Sequence, residues 1–374
     1  MDTKGIKETF KNASQRVAAT YIRMLSPFCP VMPEGLSEAQ QEELAAAQAD
    51  LHAFFQALYG ELYNAPEQFG LPAGPDIYLV VDHAPDGPDK TEVKRALDRQ
   101  RKRVEAGLDF LSDLGRQGII AGKTLMLDPG NPVLNFLTKK NGRAWVKGLE
   151  TAGLIFTQTG GSVVISNVQF PNMVAALKLL AESCARSENP DVGRVFFARC
   201  DFRALQNDFS VSALDLYSTF KSENAAWAAE LHGYFTDKNY KANVEIGRMF
   251  AWTVKYQGKK SIKATPLFQV EYDERLLNQM RAGIKCASAL RIVPLLPNQS
   301  QALQDDFSRR AIRCGDCHWC DNRKSLGPVD YEFRGEKRTI CWYVNSDLNV
   351  FTPESADLVK EYALMHEGLE ELTR

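Results

Sequence analysis

The chain of 374 residues carries 45 basic and 47 acidic side chains, for a formal charge of −2, and is 44% hydrophobic and 25% charged. These proportions suit a globular protein and exclude a disordered, collagen-like or disulfide-scaffold chain, while the balanced charge gives no global attraction to nucleic acid or an acidic membrane. A single core rarely grows past about 250–300 residues, so two or three domains are expected.

The first segment, MDTKGIKETFKNASQRVAATYIRML, has no apolar core of signal-peptide type, and Asp2 and Glu8 argue against a transit peptide. Phe10, Val17, Tyr21 and Leu25 recur at helical spacing. No stretch reaches the roughly 18 apolar residues of a membrane span, so a cytoplasmic chain without a membrane partner is expected. Residues 37–63 predict a strong helix, with Ser37 and Gln40 as a capping box and Leu44, Leu51, Phe55 and Leu58 as its buried face. The Pro/Gly-rich PEQFGLPAGP closes a helical N-terminal region, residues 1–75.

An α/β region, residues 76–190, follows. Ile77–Val81 reads as a buried strand, Pro85 to Pro88 as a turn, and Lys90–Arg116 as a long helix. On that helix Lys94, Arg95, Arg99, Arg101, Lys102 and Arg103 make a basic strip opposite Val93, Leu97, Val104, Leu108 and Leu111. Such a strip is an ordinary solvated face, and nothing in the sequence sets it beside any other basic segment. From about 132 to 186 the order is helix, short helix, hairpin, helix, with the hairpin turning at Thr159-Gly160-Gly161. SENPDVG (187–193) reads as a linker.

The last region, residues 191–374, reads as α+β. RVFFARCDFRAL predicts a strand and residues 211–233 a helix. A long β pair over 243–272 turns at Gly258-Lys259-Lys260, and helices are expected over 273–291, 299–312 and 354–372. The whole is a helix-rich, multidomain α+β chain.

Within 131–169, Pro132–Lys140 and Gly142–Ala152 predict two helices and Leu154–Asn167 a two-stranded wing with Gly160-Gly161 at its tip. The run GRAWVKGLETAGLIFTQTGGSVVISN resembles the recognition helix and wing of winged-helix transcription regulators, with Leu149, Gly153, Leu154 and Ile155 at the helix-to-wing transition. The resemblance implies a nucleic-acid partner reached by Lys139, Lys140, Arg143 and Lys147. The wing tip itself carries no Arg or Lys.

Of eight cysteines, Cys29, Cys184, Cys200 and Cys286 are scattered singly, which suits reduced, buried thiols. The other four form Cys314-Gly-Asp-Cys317-His-Trp-Cys320, then, after twenty residues, Cys341. VDYEF (329–333), the turn Arg334-Gly335-Glu336 and KRTICWYV (337–344) predict a hairpin that returns Cys341 to the first three thiols. Four thiolates suit the closed tetrahedral site of structural zinc, Zn2+ held by Cys314, Cys317, Cys320 and Cys341. The same spacing also begins the ligand pattern of a 4Fe-4S cluster, although Trp342 rather than proline follows the fourth cysteine. Cys314 to Cys320 is similar to the structural zinc lobe of medium-chain alcohol dehydrogenases, but the fourth ligand comes much later here and no GxGxxG fingerprint follows a candidate strand. Arg309, Arg310, Arg313, Arg323, Lys324, Arg334, Lys337 and Arg338 surround the cluster, as cations offsetting a negatively charged metal–thiolate centre would.

Two further segments could serve catalysis. Asp82-His83 follows the apolar run 77–81 and reads as a polar turn or a metal- or proton-handling pair, and Cys200 between Arg199 and Asp201 reads as a buried small residue or an activated thiol. The expectation is a zinc-binding regulatory protein that contacts nucleic acid; the alternatives are an enzyme using Asp82, His83 or Cys200, and an iron–sulfur redox protein.

Overall fold

The computed structural model describes residues 13–72, 90–207, 209–219, 222–246, 252–257, 268–272, 280–285, 289–311, 328–333, 335–340, 345–348 and 353–372. It is a mixed helix-and-sheet chain in which the sheets are small and antiparallel, and it divides into two compact units, Met1–Ser210 and Val211–Arg374. No helix of the described residues is long and apolar enough to cross a membrane.

In the first unit, α1 (Ala13–Met24) packs on α2 (Glu38–Asn64). The expected capping box is present: the Ser37 hydroxyl accepts from the Gln40 amide while the Gln40 side chain accepts from the Ser37 amide. Leu44, Leu51, Phe55 and Leu58 are buried, with Val17 and Tyr21 facing them from α1. A single 3-10 turn at Pro66–Phe69 ends in Gly70, whose φ of 70° a side chain would resist. The long helix α3 (Lys90–Gln117) leads into the short strands β1 (Ile119–Ala121) and β2 (Thr124–Leu127).

Where one helix was expected over 132–140, the chain makes a 3-10 turn at Pro132–Leu134 and a single α-turn, α4 (Asn135–Thr138). Lys139 then adopts an extended conformation, φ −77° and ψ 147°, which separates α4 from α5 (Lys140–Thr151). The hairpin follows as β3 (Leu154–Thr159) and β4 (Ser162–Asn167). Gly160 and Gly161 have φ of 58° and 89°, the two left-handed residues that a tight turn matched to strand twist requires. β2 adds to the free side of β4, so the sheet order is β1-β2-β4-β3, all antiparallel. Leu125 and Ile165 from neighbouring strands point to the buried face.

The unit closes with α6 (Met173–Ala185) and α7 (Pro190–Ala198). Here two expectations are corrected. The segment read as a linker followed by a strand is a helix, because Asn189 caps it by accepting from the Asp191 amide and Pro190 occupies the first turn. Start chemistry outweighs the β-like run Arg194-Val195-Phe196-Phe197. The helix ends in a paired C-terminal motif, the Cys200 amide bonding the Phe197 carbonyl and the Asp201 amide the Phe196 carbonyl, with Cys200 in the left-handed region at φ 48°.

In the second unit, α8 (Ala213–Tyr217) and α9 (Ser222–Asp237) precede β5 (Lys241–Ile246), β6 (Trp252–Gln257), β7 (Phe268–Tyr272) and β8 (Met280–Lys285). β8 replaces the helix expected over 273–291. It is paired on both sides, with β7 (Phe268 opposite Ile284) and with β11 (Asn345–Leu348; Asn345 opposite Lys285), and this pairing overrides the local helix preference of Met280, Arg281 and Ala282. The sheet order is β11-β8-β7-β6-β5. Trp252, Val254 and Tyr256 of β6 are buried, and Phe235 of α9 stacks on Tyr256 with centroids 4.9 Å apart. Beyond α10 (Ala289–Ile292) come α11 (Gln301–Arg310), the hairpin β9 (Val329–Phe333) and β10 (Glu336–Ile340), and α12 (Pro353–Leu372), whose Tyr362 hydroxyl donates to buried Asp306 on α11.

Candidate nucleic-acid interface

α5 is held by one side only. Trp145 and Leu149 are buried, and two glycines let neighbouring groups approach the helix backbone. A Cβ on Gly142 would stand 1.7 Å from the Phe136 carbonyl oxygen, and one on Gly148 would stand 2.3 Å from the Phe69 ring. From the other partner, Gly107 of α3 opens a flat seat for the Trp145 indole, whose carbons would lie 2.2 Å from a Cβ there. Phe69 and Trp145 meet edge to face at 5.1 Å.

The opposite side of α5 carries Lys139, Lys140, Arg143 and Lys147, all exposed. Lys139, Arg143 and Lys147 recur every fourth residue and so form one row along the helix, with Lys140 beside it. Among the described residues none of the four pairs with a carboxylate. Gly153, at φ 98°, turns the end of α5 into β3 against buried Asn167. The Asn167 carboxamide oxygen accepts from the Gln169 and Phe170 amides, each at 2.9 Å, which pins the return of the hairpin.

The four cysteines of the motif, Cys314, Cys317, Cys320 and Cys341, lie outside the described residues, as do Asp82, His83 and the apolar run 77–81. Between the third and fourth cysteines β9 and β10 pair antiparallel, Val329 opposite Ile340 and Phe333 opposite Glu336, around Gly335, while residues 341–344 of the expected second strand lie outside the described residues. The chain therefore enters β9 and leaves β10 at the same end, which fits a donor set drawn from both flanks. Of the neighbouring cations, Arg309 pairs with Asp306 at 2.7 Å and Arg338 with Glu336 at 3.0 Å. Among the described residues no three His, Cys, Asp or Glu are grouped to hold a metal ion.

Of the two readings of Cys200, the buried small residue fits the structure, while its expected place in a strand is corrected. It sits at a helix end rather than in a strand and is fully buried, and burial pushes its thiol well above the ordinary range, the opposite of activation. Beside it Asp201 is buried yet charged. Burial alone would raise its carboxyl, but hydrogen bonds from Arg203, at 3.0 and 2.5 Å, outweigh that and hold it below the usual value, with Arg199 and the Ser26 hydroxyl adding to the effect. This is a structural node joining α7 to the end of α1. Cys184 is buried as expected, whereas Cys29 is exposed because it lies in the irregular stretch between α1 and α2.

A cavity of about 380 Å³ between α1 and α2, lined by Ile22, Leu25, Phe28, His52, Gln56 and Tyr59, was not foreseen. Its only periodic signal was apolar. Its polar groups are largely engaged, His52 Nε2 with the Ser26 carbonyl at 2.7 Å and the Tyr59 hydroxyl donating to the Ala198 carbonyl at 2.6 Å, and burial lowers the His52 pKa. No nucleophile–base pair is assembled there among the described residues. No protein-family model matches the sequence, and neither the curated proteins nor the solved structures compared with it yield a match.

Proposed function

We propose that this protein is a nucleic-acid-binding regulatory protein, in which α5 and the β3–β4 hairpin act as recognition helix and wing and Cys314, Cys317, Cys320 and Cys341 hold a structural zinc ion. The observation that carries the reading is the row Lys139, Arg143 and Lys147, with Lys140 beside it: exposed, without carboxylate partners among the described residues, and on a helix that leads through Gly153 directly into a hairpin. Guanidinium and ammonium groups so placed suit phosphate oxygens, and Arg143 adds a fork able to read a guanine edge. The extension of β4 by β2 supports the wing reading by tying the hairpin to the strand that precedes the helices. The zinc, when bound, supplies a covalent-like cross-link to a hairpin too small for a core of its own.

The test is binding of a fluorescent non-specific duplex DNA by the full chain across a salt series. Affinity should fall linearly on logarithmic axes, with a slope of about −0.9 per phosphate contacted, and Arg143→Ala with Lys147→Ala should flatten that slope by about 2. Absence of binding at low salt sinks the proposal. Elemental analysis of anaerobically purified protein tests the metal: one zinc per chain is expected, and iron with acid-labile sulfide would transfer the four cysteines to redox chemistry.

A further inference from the structure

The basic strip of α3, which the sequence leaves unplaced, meets α5 at a defined point. Arg103 Nη1 donates to the Gly70 carbonyl at 3.3 Å. Gly70 in turn abuts α5, since a Cβ on it would stand 2.8 Å from Ala144 Cβ. One turn further along α3, Gly107 receives Trp145 of α5. Ala144, half-buried, lies next to Arg143 in sequence and one turn from both Lys140 and Lys147, at the edge where the packed side of α5 gives way to its basic side, so the turn of α3 at Arg103 borders that basic side through Gly70.

From that point the strip runs back along α3 as a straight row. Arg103, Arg99 and Arg95 recur every fourth residue, about 6 Å apart along the axis, and the Arg99 Nε donates to the Arg95 carbonyl at 3.2 Å. Arg95, Arg99 and the adjoining Lys102 are exposed. Asp98, the carboxylate within the row's span, is taken by Arg101 at 3.6 Å. Glu67, in the adjoining 3-10 turn, and Glu150, on α5 itself, are exposed, and among the described residues neither pairs with a basic residue of the α3 row or of α5.

We infer that Arg95, Arg99 and Lys102 of α3 form a second phosphate-binding segment continuous with that of α5, so that one nucleic-acid duplex is held by its backbone on both helices at once. The inference rests on the proposed nucleic-acid function and adds to it a second segment. α5 alone would grip a few phosphates, whereas the joined surface extends the contact along the duplex without reading sequence, because point contacts to phosphate carry position and not identity. Arg103 is a positioning residue, since its guanidinium ties α3 to Gly70.

The test uses the full chain with fluorescent non-specific duplexes of about one turn and about two turns (roughly 10 and 20 base pairs). Arg95→Ala with Arg99→Ala should reduce the salt slope on the longer duplex by about 2 and cost much less on the shorter one, which cannot span both segments. Charge reversal at Lys102, Lys102→Glu, should act in the same direction. All three positions are exposed, so unchanged thermal unfolding is expected and keeps a binding loss interpretable. Unaltered slope and affinity on the longer duplex, with Arg143→Ala and Lys147→Ala still disrupting binding, overturns the α3 segment and leaves the α5 reading standing. No binding of either duplex by the unmodified chain at low salt overturns both. Loss through α3 alone, with α5 variants silent, overturns the continuity.

Discussion

Replacing Gly148 by alanine sets two physical rules against each other. In a helix interior Gly→Ala is favourable by about 0.8–1.0 kcal/mol through helix propensity, so a reading of α5 as an exposed amphipathic helix expects stabilisation. Packing predicts the reverse. The new methyl would stand 2.3 Å from Cδ1 and Cε1 of Phe69, more than ~1 Å inside the usual 3.5–4.0 Å carbon contact. Phe69 is 2% exposed and edge-on to Trp145, and its 3-10 turn is closed by the Gly70 amide on the Glu67 carbonyl and the Leu71 amide on the Pro66 carbonyl. The ring has nowhere to swing, so α5 must shift. Overpacking of this kind costs about 1–3 kcal/mol, and the upper part of that range applies to a rigid ring, leaving a net loss of about 1–2 kcal/mol. For a unit of this size that lowers the melting temperature by roughly 2–8 °C in scanning calorimetry. Phe69→Ala removes the obstacle, so Gly148→Ala made in that background should turn neutral or stabilising. A raised melting temperature for Gly148→Ala alone, or the same loss in both backgrounds, would refute the packing argument.

Asp201→Ala should destabilise the first unit by about 3 kcal/mol in urea unfolding, because Arg199 and Arg203 lose a buried counter-ion. As the Asp201 carboxyl is held below its ordinary value, its contribution is complete above the unfolded value near ~3.9 and is lost as pH falls through the folded one; Asp201→Asn should flatten that acid limb of the stability profile. In the second unit, Tyr256→Phe removes a hydroxyl bonded to both the Tyr217 hydroxyl (2.6 Å) and His232 Nδ1 (2.8 Å), at a cost of about 1–3 kcal/mol by thermal unfolding. Burial lowers the His232 pKa, so the stability it contributes is present above the ordinary value near ~6.5 and declines as pH falls from there towards the folded value; His232→Gln should remove that decline. Ser37→Ala should cost about 1 kcal/mol through loss of the capping box at the head of α2, measured as a fall in denaturation midpoint.

The elements legible in the sequence are those whose ends carry their own chemistry. Ser37 with Gln40 starts α2, and Gly160-Gly161 turns the β3–β4 hairpin, because each signal acts between residues three or fewer positions apart. The exposure of Lys139, Lys140, Arg143 and Lys147 followed from the same periodicity that buries Trp145 and Leu149. What escaped depends on distant partners. β8 is a strand because β7 and β11 flank it, and nothing inside Met280–Lys285 announces either neighbour. The Asn189-Pro190-Asp191 start of α7 was present in the sequence but outweighed by its aromatic run. The seat of α5 was illegible for another reason: Gly107, Gly142 and Gly148 look like helix-weakening residues until Trp145, the Phe136 carbonyl and Phe69 are brought against them.

That seat also bears on why the cations of α5 stand out. Several arginines elsewhere among the described residues are put to internal use: Arg203 binds buried Asp201, Arg194 spans Asp109 and Asp191, Arg309 binds Asp306, and Arg338 bonds both Glu336 and the Ser308 hydroxyl. Each of those side chains has its donors directed to a partner in the fold. The row on α5 has none among the described residues, yet its backbone is fixed from behind by two glycine contacts and the Trp145 indole, so its spacing is set before any ligand arrives. Binding through such a row loses less conformational entropy than binding through a mobile basic tail, since only side-chain rotamers remain to be ordered. Under the proposed function, a helix fixed so closely on one face, with cations that have no carboxylate partner among the described residues on the other, presents those cations to an anionic surface at a spacing set in advance.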